Sequence, residues 1–181
     1  GETPAASGPN VMDIDFDALI ANETDSTLKD MHEYFRDRTP TEKNQYTGMF
    51  QGKNLLLFTG EAFWIGAVNE QYTPTLYKLA HSGFVFENFY NPLWYYSTVD
   101  GEYAATTGLI PTNQVNASQR YAGKNGVSMY FSMGNQLRAL GYPTLAYHNN
   151  TANYYDRNLS HPNLGYDFYA CDTGLDVAMT W

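Results

Sequence analysis

The chain has 181 residues, of which 43% are hydrophobic and 16% aromatic, and its formal net charge is -9. This apolar content excludes a disordered polymer. The acidic balance argues against a nucleic-acid binder, which needs a basic stripe to neutralise phosphates, and against loose docking on an anionic membrane surface. The one cysteine, Cys171, excludes an internal disulfide. No apolar run approaches the ~20 residues of a membrane span.

The N-terminal part of the chain divides into a lead-in and the start of a domain. Residues 1–24 contain small residues and prolines and then become acidic, which predicts a flexible lead-in before a domain at residues 25–181. Residues 26–38 place apolar side chains on one face, as in an amphipathic helix. Thr24 or Asp25 is the expected N-cap of that helix.

Two apolar segments and a helix follow. Residues 54–59 form a nearly continuous apolar run, which is typical of a strand buried in a parallel sheet. The Thr73-Pro74 pair predicts the start of a helix that ends at Gly83. Residues 84–90 are aromatic and partly alternating, and they predict another strand.

The rest of the chain continues this alternation of helices and strands. The predicted elements are a helix at 100–109, a polar surface loop at 111–125, a helix at 127–140, a strand at 143–147, a loop from 148 to about 162 and a strand at 166–171. This order indicates an α/β fold with a mainly parallel sheet, in which ligands bind beyond the carboxyl ends of the strands. Three polar segments fall at such ends: Gly60-Glu61, Ser97-Thr98 and the loop that begins at His148.

Two oxygen-bearing side chains in these segments could take part in phosphoryl transfer. Glu61 follows the first apolar run directly, where a rigidly held carboxylate can bind a divalent cation; it could equally be a solvated acid in the following turn. Metal coordination could activate the Thr98 hydroxyl for attack on phosphorus. The alternative is that Thr98 caps the helix that begins near Asp100.

The third segment offers groups suited to an anionic substrate. His148, Tyr155 and Arg157 share one loop, in which arginine could hold a phosphate through two parallel hydrogen bonds and histidine could donate or accept a proton. The alternative is a polar surface loop with an isolated salt bridge. Asp100 and Glu102 are interpreted as first-turn acids that favour the helix dipole. The remaining histidines receive no role: His32, His81 and His161.

Taken in order, these segments resemble the lipoteichoic acid synthases, which are phosphoglycerol transferases of the sulfatase and alkaline phosphatase superfamily. The resemblance runs from about residue 31 to about residue 172 and rests on the motifs DMHEYFRDRTPTEKNQYTGMFQGKN, NLLLFTGEAF, TPTLYKLAHSGFVFENFYN, STVDGEY, LAYHNNTANYYDRN and LGYDFY. It implies a sulfatase-like α/β fold with a parallel sheet flanked by helices. Residues 25–181 would then be the N-terminal portion of an incomplete catalytic domain.

The resemblance also assigns roles to five residues. It implies that Glu61 binds the metal and that Thr98 is the catalytic nucleophile, which also contacts the metal. It implies that His148 and Arg157 hold the phosphoglycerol group of the substrate. Tyr155 falls where the family usually has tryptophan and is expected to bind substrate. The expected metal is Mn²⁺, with Mg²⁺ or Zn²⁺ as alternatives.

The implied reaction moves phosphoglycerol from phosphatidylglycerol to a growing lipoteichoic acid-type polymer through a phosphothreonine-type intermediate. The implied location is the extracellular face of a bacterial cell membrane, with an anchor upstream of residue 1, or release into the wall or medium. The Asp-His metal pair of the family and a further histidine would follow Trp181. The chain alone is therefore expected to hold part of the site, to be inactive, and to self-associate through its exposed half-domain surface.

Other functions remain open from the sequence. Ser97 stands where the family often has lysine, which leaves the head-group preference undecided, so a phosphoethanolamine transferase or another hydrolase of the superfamily is an alternative. The usual sulfatases need a cysteine or serine that becomes formylglycine, and Thr98 cannot form that aldehyde. A non-enzymatic alternative is a degenerate module that binds the cell envelope. An Asp-His pair encoded after Trp181 would favour the enzyme over the module.

Overall fold

The structure is a computed structural model that describes residues 7–90, 97–127, 129 and 131–177. The chain divides into two compact units, Gly1–Leu57 and Phe58–Trp181. In the described ranges, no helix combines the length and apolar character that crossing a membrane requires.

Two short helices pack against each other in the first unit, α1 (Phe16–Asn22) and α2 (Ser26–Arg36). The carboxylate of Asp25 accepts a hydrogen bond from the backbone N–H of Thr27 at 2.8 Å, which satisfies an amide of the first turn. The helix expected from residue 26 onward is therefore confirmed, with Asp25 as its N-cap.

The second unit is a small α/β arrangement. Its described elements are α3 (Pro74–His81), α4 (Ser97–Thr107), α5 (Val115–Asn125), α6 (Met133–Ala139), β1 (Leu145–His148), α7 (Arg157–Asn163) and β2 (Asp167–Ala170), with 3₁₀ turns at Ile65–Ala67 and Tyr154–Asp156. β1 and β2 pair in parallel, with Leu145 opposite Asp167, and α7 connects them. The two strands predicted at 143–147 and 166–171 are confirmed, and so is the α/β class with a parallel sheet.

Buried polar contacts hold the turn between α7 and β2. Leu164 is almost fully buried, and its carbonyl accepts a hydrogen bond from the Ser132 hydroxyl at 2.9 Å. The Thr144 hydroxyl donates to the carbonyl of Gly165 in the same turn. Because buried carbonyls need partners, these two side chains tie the turn to α6 and to the start of β1.

Two segments predicted as strands do not form strands. Residues 54–59 and 84–90 are irregular, and their apolar side chains are exposed, as shown by Leu56 (78%) and Phe86 (76%). The physical reason is that a strand is defined by hydrogen bonds to a neighbour, and these runs pair with no strand in the described part of the chain.

Three further predictions were wrong in their element type or bounds. Residues 111–125 are not a surface loop, since α5 occupies most of them and buries Val115 and Ala122. The helix predicted at 127–140 begins only at Met133. The loop predicted from residue 148 contains α7, whose buried residues are polar, so its sequence shows no apolar period.

The packing of α5 on α7 gives a test of the fold. A Cβ atom at Gly123 would lie 2.3 Å from the carbonyl oxygen of Leu159, whereas a Cβ at Gly101 of α4 would meet nothing within 4 Å. We expect Gly123→Ala to destabilise the protein by about 1–3 kcal/mol, because overpacking outweighs the helix propensity of alanine. Gly101→Ala is the matched control and should be neutral or stabilising by up to about 1 kcal/mol. Chemical denaturation measures both, and equal effects would contradict this packing.

Candidate active site

Glu61 and Thr98, which are 37 residues apart in sequence, are in direct contact. The helix that was expected to begin near Asp100 begins at Ser97, so Thr98 lies inside the first turn of α4. Its Oγ1 donates a hydrogen bond to Oε1 of Glu61. Glu61 precedes Ala62, whose positive φ of 53° marks a tight turn. The turn and the helix therefore bring a carboxylate and a hydroxyl to one place.

These two oxygen atoms fit part of a site for a hard divalent cation. Carboxylate and hydroxyl oxygens are suitable ligands for Mn²⁺ or Mg²⁺. Within the residues that the structure describes, no group of three or more His, Cys, Asp or Glu side chains could hold a metal ion. The pair can thus contribute ligands but does not amount to a full coordination shell.

Arg157 begins α7, and its side chain is only 5% exposed. Its Nε and Nη2 both donate to Oε2 of Glu102, at 3.0 and 2.7 Å, and its Nη1 donates to the carbonyl of Tyr154 at 3.1 Å. The rings of Tyr154 and Tyr155 lie 5.7 and 5.4 Å from the guanidinium carbon. These hydrogen bonds use three of the five N–H groups of arginine.

The turn before α7 is conformationally strained. Tyr155 and Asp156 both adopt left-handed backbone conformations, with φ of 57° and 56°. Each such residue costs about 1–2 kcal/mol when it is not glycine. Asp156 pairs with Arg120 at 3.1 Å, which helps to hold the turn. The strained turn directs the chain from the end of β1 into Arg157.

His148 ends β1 and is half-buried. Its ring stacks on that of Tyr154 at 6.0 Å, and its buried Nδ1 has no hydrogen-bond partner in the described part of the chain. Burial lowers the pKa of His148, and the charge of Arg157 acts in the same direction, whereas Glu102 and Glu61 raise the pKa. His148 therefore lies within electrostatic range of both parts of the site and favours the neutral form.

Glu102 and His161 also belong to this cluster, although the sequence reasoning gave neither a functional role. His161 Nε2 lies 3.3 Å from Oε1 of Glu102, and its Nδ1 lies 3.3 Å from the Ser160 hydroxyl. Burial lowers the pKa of His161 to about 4. Since a carboxylate can only accept, we infer that the neutral ring carries its proton on Nε2.

A spacing signal for these two residues was present in the sequence. Glu102 lies four residues after Thr98, and His161 lies four residues after Arg157, which places each pair on one helical face. The interpretation of residues 148–162 as a loop concealed the second spacing. The structure brings Glu61 to Thr98 and Tyr155 and Glu102 to Arg157, and His148 lies within electrostatic range of Arg157 and Glu102. The side chain of Ser97 lies outside the described residues.

The buried neutral His161 predicts a pH dependence of stability. Its pKa falls from 6.5 in the unfolded chain to about 4 in the folded one. The stabilisation is therefore complete above pH 6.5 and is lost as pH falls towards about 4, because the unfolded state binds the proton more tightly. The loss should amount to about 2–3 kcal/mol. His161→Gln removes the titrating group, so its free energy of unfolding should fall less over this range. Parallel curves for wild type and variant would refute the assignment.

Comparison with known proteins places the chain in a family. Residues 53–179 match the family described as Sulfatase. The chain is 26% identical over 159 residues to Lipoteichoic acid synthase 2 of Bacillus subtilis (strain 168), an alignment that covers 82% of this chain and 23% of that relative's length. No solved structure gives a significant match. Because the family match extends over more than half of the chain, this protein belongs to the sulfatase family.

Proposed function

We propose that this chain carries the nucleophile of a metal-dependent phosphoglycerol transferase and that Thr98 is that nucleophile. The observation that carries the proposal is the hydrogen bond from Thr98 to Glu61 in a member of the sulfatase family. A hydroxyl group is a weak nucleophile until a neighbouring group takes or withdraws its proton. The contact directs the hydroxyl proton of Thr98 to a carboxylate and leaves the two lone pairs of the oxygen for a cation and for phosphorus.

The proposed reaction has two displacements at phosphorus. Thr98 Oγ1 attacks the phosphorus of phosphatidylglycerol, a new O–P bond forms, and the P–O bond to diacylglycerol breaks. The proton of Thr98 departs along its hydrogen bond to Glu61, and the diacylglycerol oxygen takes up a proton as it leaves. In the second step the terminal hydroxyl of the polymer attacks the same phosphorus, and the threonine oxygen leaves and regains its proton. Positioning and charge stabilisation are the main tasks of a protein in such transfers.

In this proposal the residues around Thr98 bind a metal ion and the substrate. Glu61 and Thr98 would hold a divalent cation, Mn²⁺ or alternatively Mg²⁺ or Zn²⁺, which would acidify the hydroxyl and withdraw charge from the phosphate. Arg157 has two N–H groups beyond those that bind Glu102 and Tyr154, and these can donate to phosphate oxygens. His148 offers its unpartnered Nδ1, and Tyr155 forms an aromatic wall beside the guanidinium.

The choice of substrate rests on the similarity to a lipoteichoic acid synthase. That protein is a lipoteichoic acid synthase, and the aligned region spans 23% of its length. Phosphatidylglycerol-type lipid and a glycerolphosphate polymer are therefore the proposed substrates. The proposed location is the outer face of a bacterial membrane. Transfer of phosphoethanolamine would be the competing result, because Ser97 replaces the lysine expected from the resemblance.

Substitution of Thr98 tests the nucleophile. In the protein that contains this chain, Thr98→Ala should lower release of diacylglycerol from labelled phosphatidylglycerol by about 10³-fold or more, because the alanine side chain has no oxygen to attack phosphorus. Thr98→Ser keeps a hydroxyl and should retain activity within about tenfold of wild type. Mass spectrometry of the wild type quenched without acceptor should find phosphoglycerol on Thr98. Full activity of the alanine variant would remove Thr98 from the mechanism.

Substitution of Glu61 tests the metal ligand. Glu61→Gln should weaken Mn²⁺ binding to the same protein by about tenfold or more, because a neutral amide replaces a charged ligand. Calorimetry measures the affinity directly, without reference to turnover. Glu70→Gln is the matched control, since Glu70 is an exposed carboxylate of the same unit. An unchanged affinity in Glu61→Gln would show that Glu61 is not a ligand.

A further inference from the structure

Helices α4 and α7 are joined through one carboxylate, that of Glu102. Its Oε2 accepts both hydrogen bonds from Arg157, at 2.7 and 3.0 Å, and its Oε1 lies 3.3 Å from Nε2 of His161. The three side chains are 22%, 5% and 11% exposed, respectively. Each carboxylate oxygen therefore has its own partner, and the cluster is largely buried. Rotation of the carboxylate would break the contact with Arg157 or the contact with His161.

This contact lies close to the proposed nucleophile. Thr98 precedes Glu102 by four residues on α4, which is one turn, or about 6 Å along the helix axis, on the same face. Arg157 and His161 have the same spacing on α7. The contact thus joins the face of α4 that carries the hydroxyl to the face of α7 that carries the guanidinium.

The form of the ion pair also restricts the arginine. An unrestrained arginine has many rotamers, whereas here Nε, Nη1 and Nη2 each have a fixed acceptor. Because Oε2 of Glu102 accepts from Nε and Nη2 and the Tyr154 carbonyl accepts from Nη1, the two acceptors together fix the plane of the guanidinium. The two remaining N–H groups then have a defined orientation towards any anion that they bind.

We propose that Glu102 is a positioning residue, which holds the guanidinium of Arg157 in register with the hydroxyl of Thr98 for phosphoryl transfer. This inference rests on the proposed function. Glu102 acts through Arg157 and need not touch substrate. Its carboxylate also balances the positive charge of Arg157. Removal of the negative charge leaves that positive charge uncompensated, so anions should bind at least as well. The expected signature is a loss of turnover without a loss of anion binding.

The test uses the full-length protein with vesicles that contain phosphatidylglycerol, and it compares Glu102→Gln with wild type. Glu102→Gln keeps the shape of the side chain but removes its charge. We expect kcat to fall about 10–100-fold, the cost of a small misplacement in the active site. KM for the lipid and Kd for glycerol 3-phosphate should stay the same or decrease. Glu102→Asp keeps the charge and should recover part of kcat.

A control separates positioning from general destabilisation. Ser132→Ala removes the buried hydrogen bond to the carbonyl of Leu164 in the same unit, and the side-chain hydrogen bonds of Ser132 are with Met129, Leu164 and Asn135. Rates are corrected for the folded fraction from circular dichroism at the assay temperature. The kcat of folded Ser132→Ala should stay within about twofold of wild type, because among the described residues Ser132 shares no hydrogen-bond partner with the Glu102 carboxylate.

Each outcome of this experiment has a defined meaning. A wild-type kcat per folded molecule in Glu102→Gln, together with an inactive Thr98→Ala, would overturn the positioning role and leave the proposed function standing. A rise in KM and Kd with unchanged kcat would make Glu102 a binding determinant and would also overturn the inference. Transfer that does not depend on Thr98 would overturn the proposed function and this inference together.

Discussion

The ion pair between Glu102 and Arg157 is the contact on which the arrangement of the site depends. A buried guanidinium without a partner would be strongly destabilising, so α4 and α7 have to meet where Glu102 can reach it. Helix α7 in turn connects the two paired strands, and its following turn is held by buried hydrogen bonds from Ser132 and Thr144. Glu102 thereby links the helix that carries Thr98 to the helix that connects the two strands.

The charges of the cluster explain why a cation belongs to the proposed chemistry. Glu61 and Glu102 each carry a formal negative charge and Arg157 carries one positive charge, while burial favours neutral forms of His148 and His161. These groups together leave an excess of negative charge beside the Thr98 hydroxyl. An anionic phosphate would be repelled from such a place unless a divalent cation reversed the sign. The donor atoms of Glu61 and Thr98 suit that ion.

Much of the local structure could be predicted from the sequence, because its signals are local. The Asp25 cap, the Thr73-Pro74 helix start and the two strands of the parallel pair follow from capping, fixed φ and strand propensity. The apolar runs at 54–59 and 84–90 could not be assigned in this way, because a strand needs a hydrogen-bonded neighbour. Helix α7 was missed because it buries Arg157, Ser160 and His161 instead of an apolar stripe.

The sequence by itself determined the family, the parallel α/β class and the identity of the candidate nucleophile. The order and spacing of the motifs around Thr98 carried these conclusions, because the hydroxyl taken alone left a helix cap as the alternative. Only the tertiary structure decided that Thr98 lies inside α4 against Glu61, and that Glu102 and His161 complete the cluster around Arg157. The physical reason is that such contacts join residues 37 to 59 positions apart. A local sequence pattern does not show which distant side chain will pair with a buried charged group.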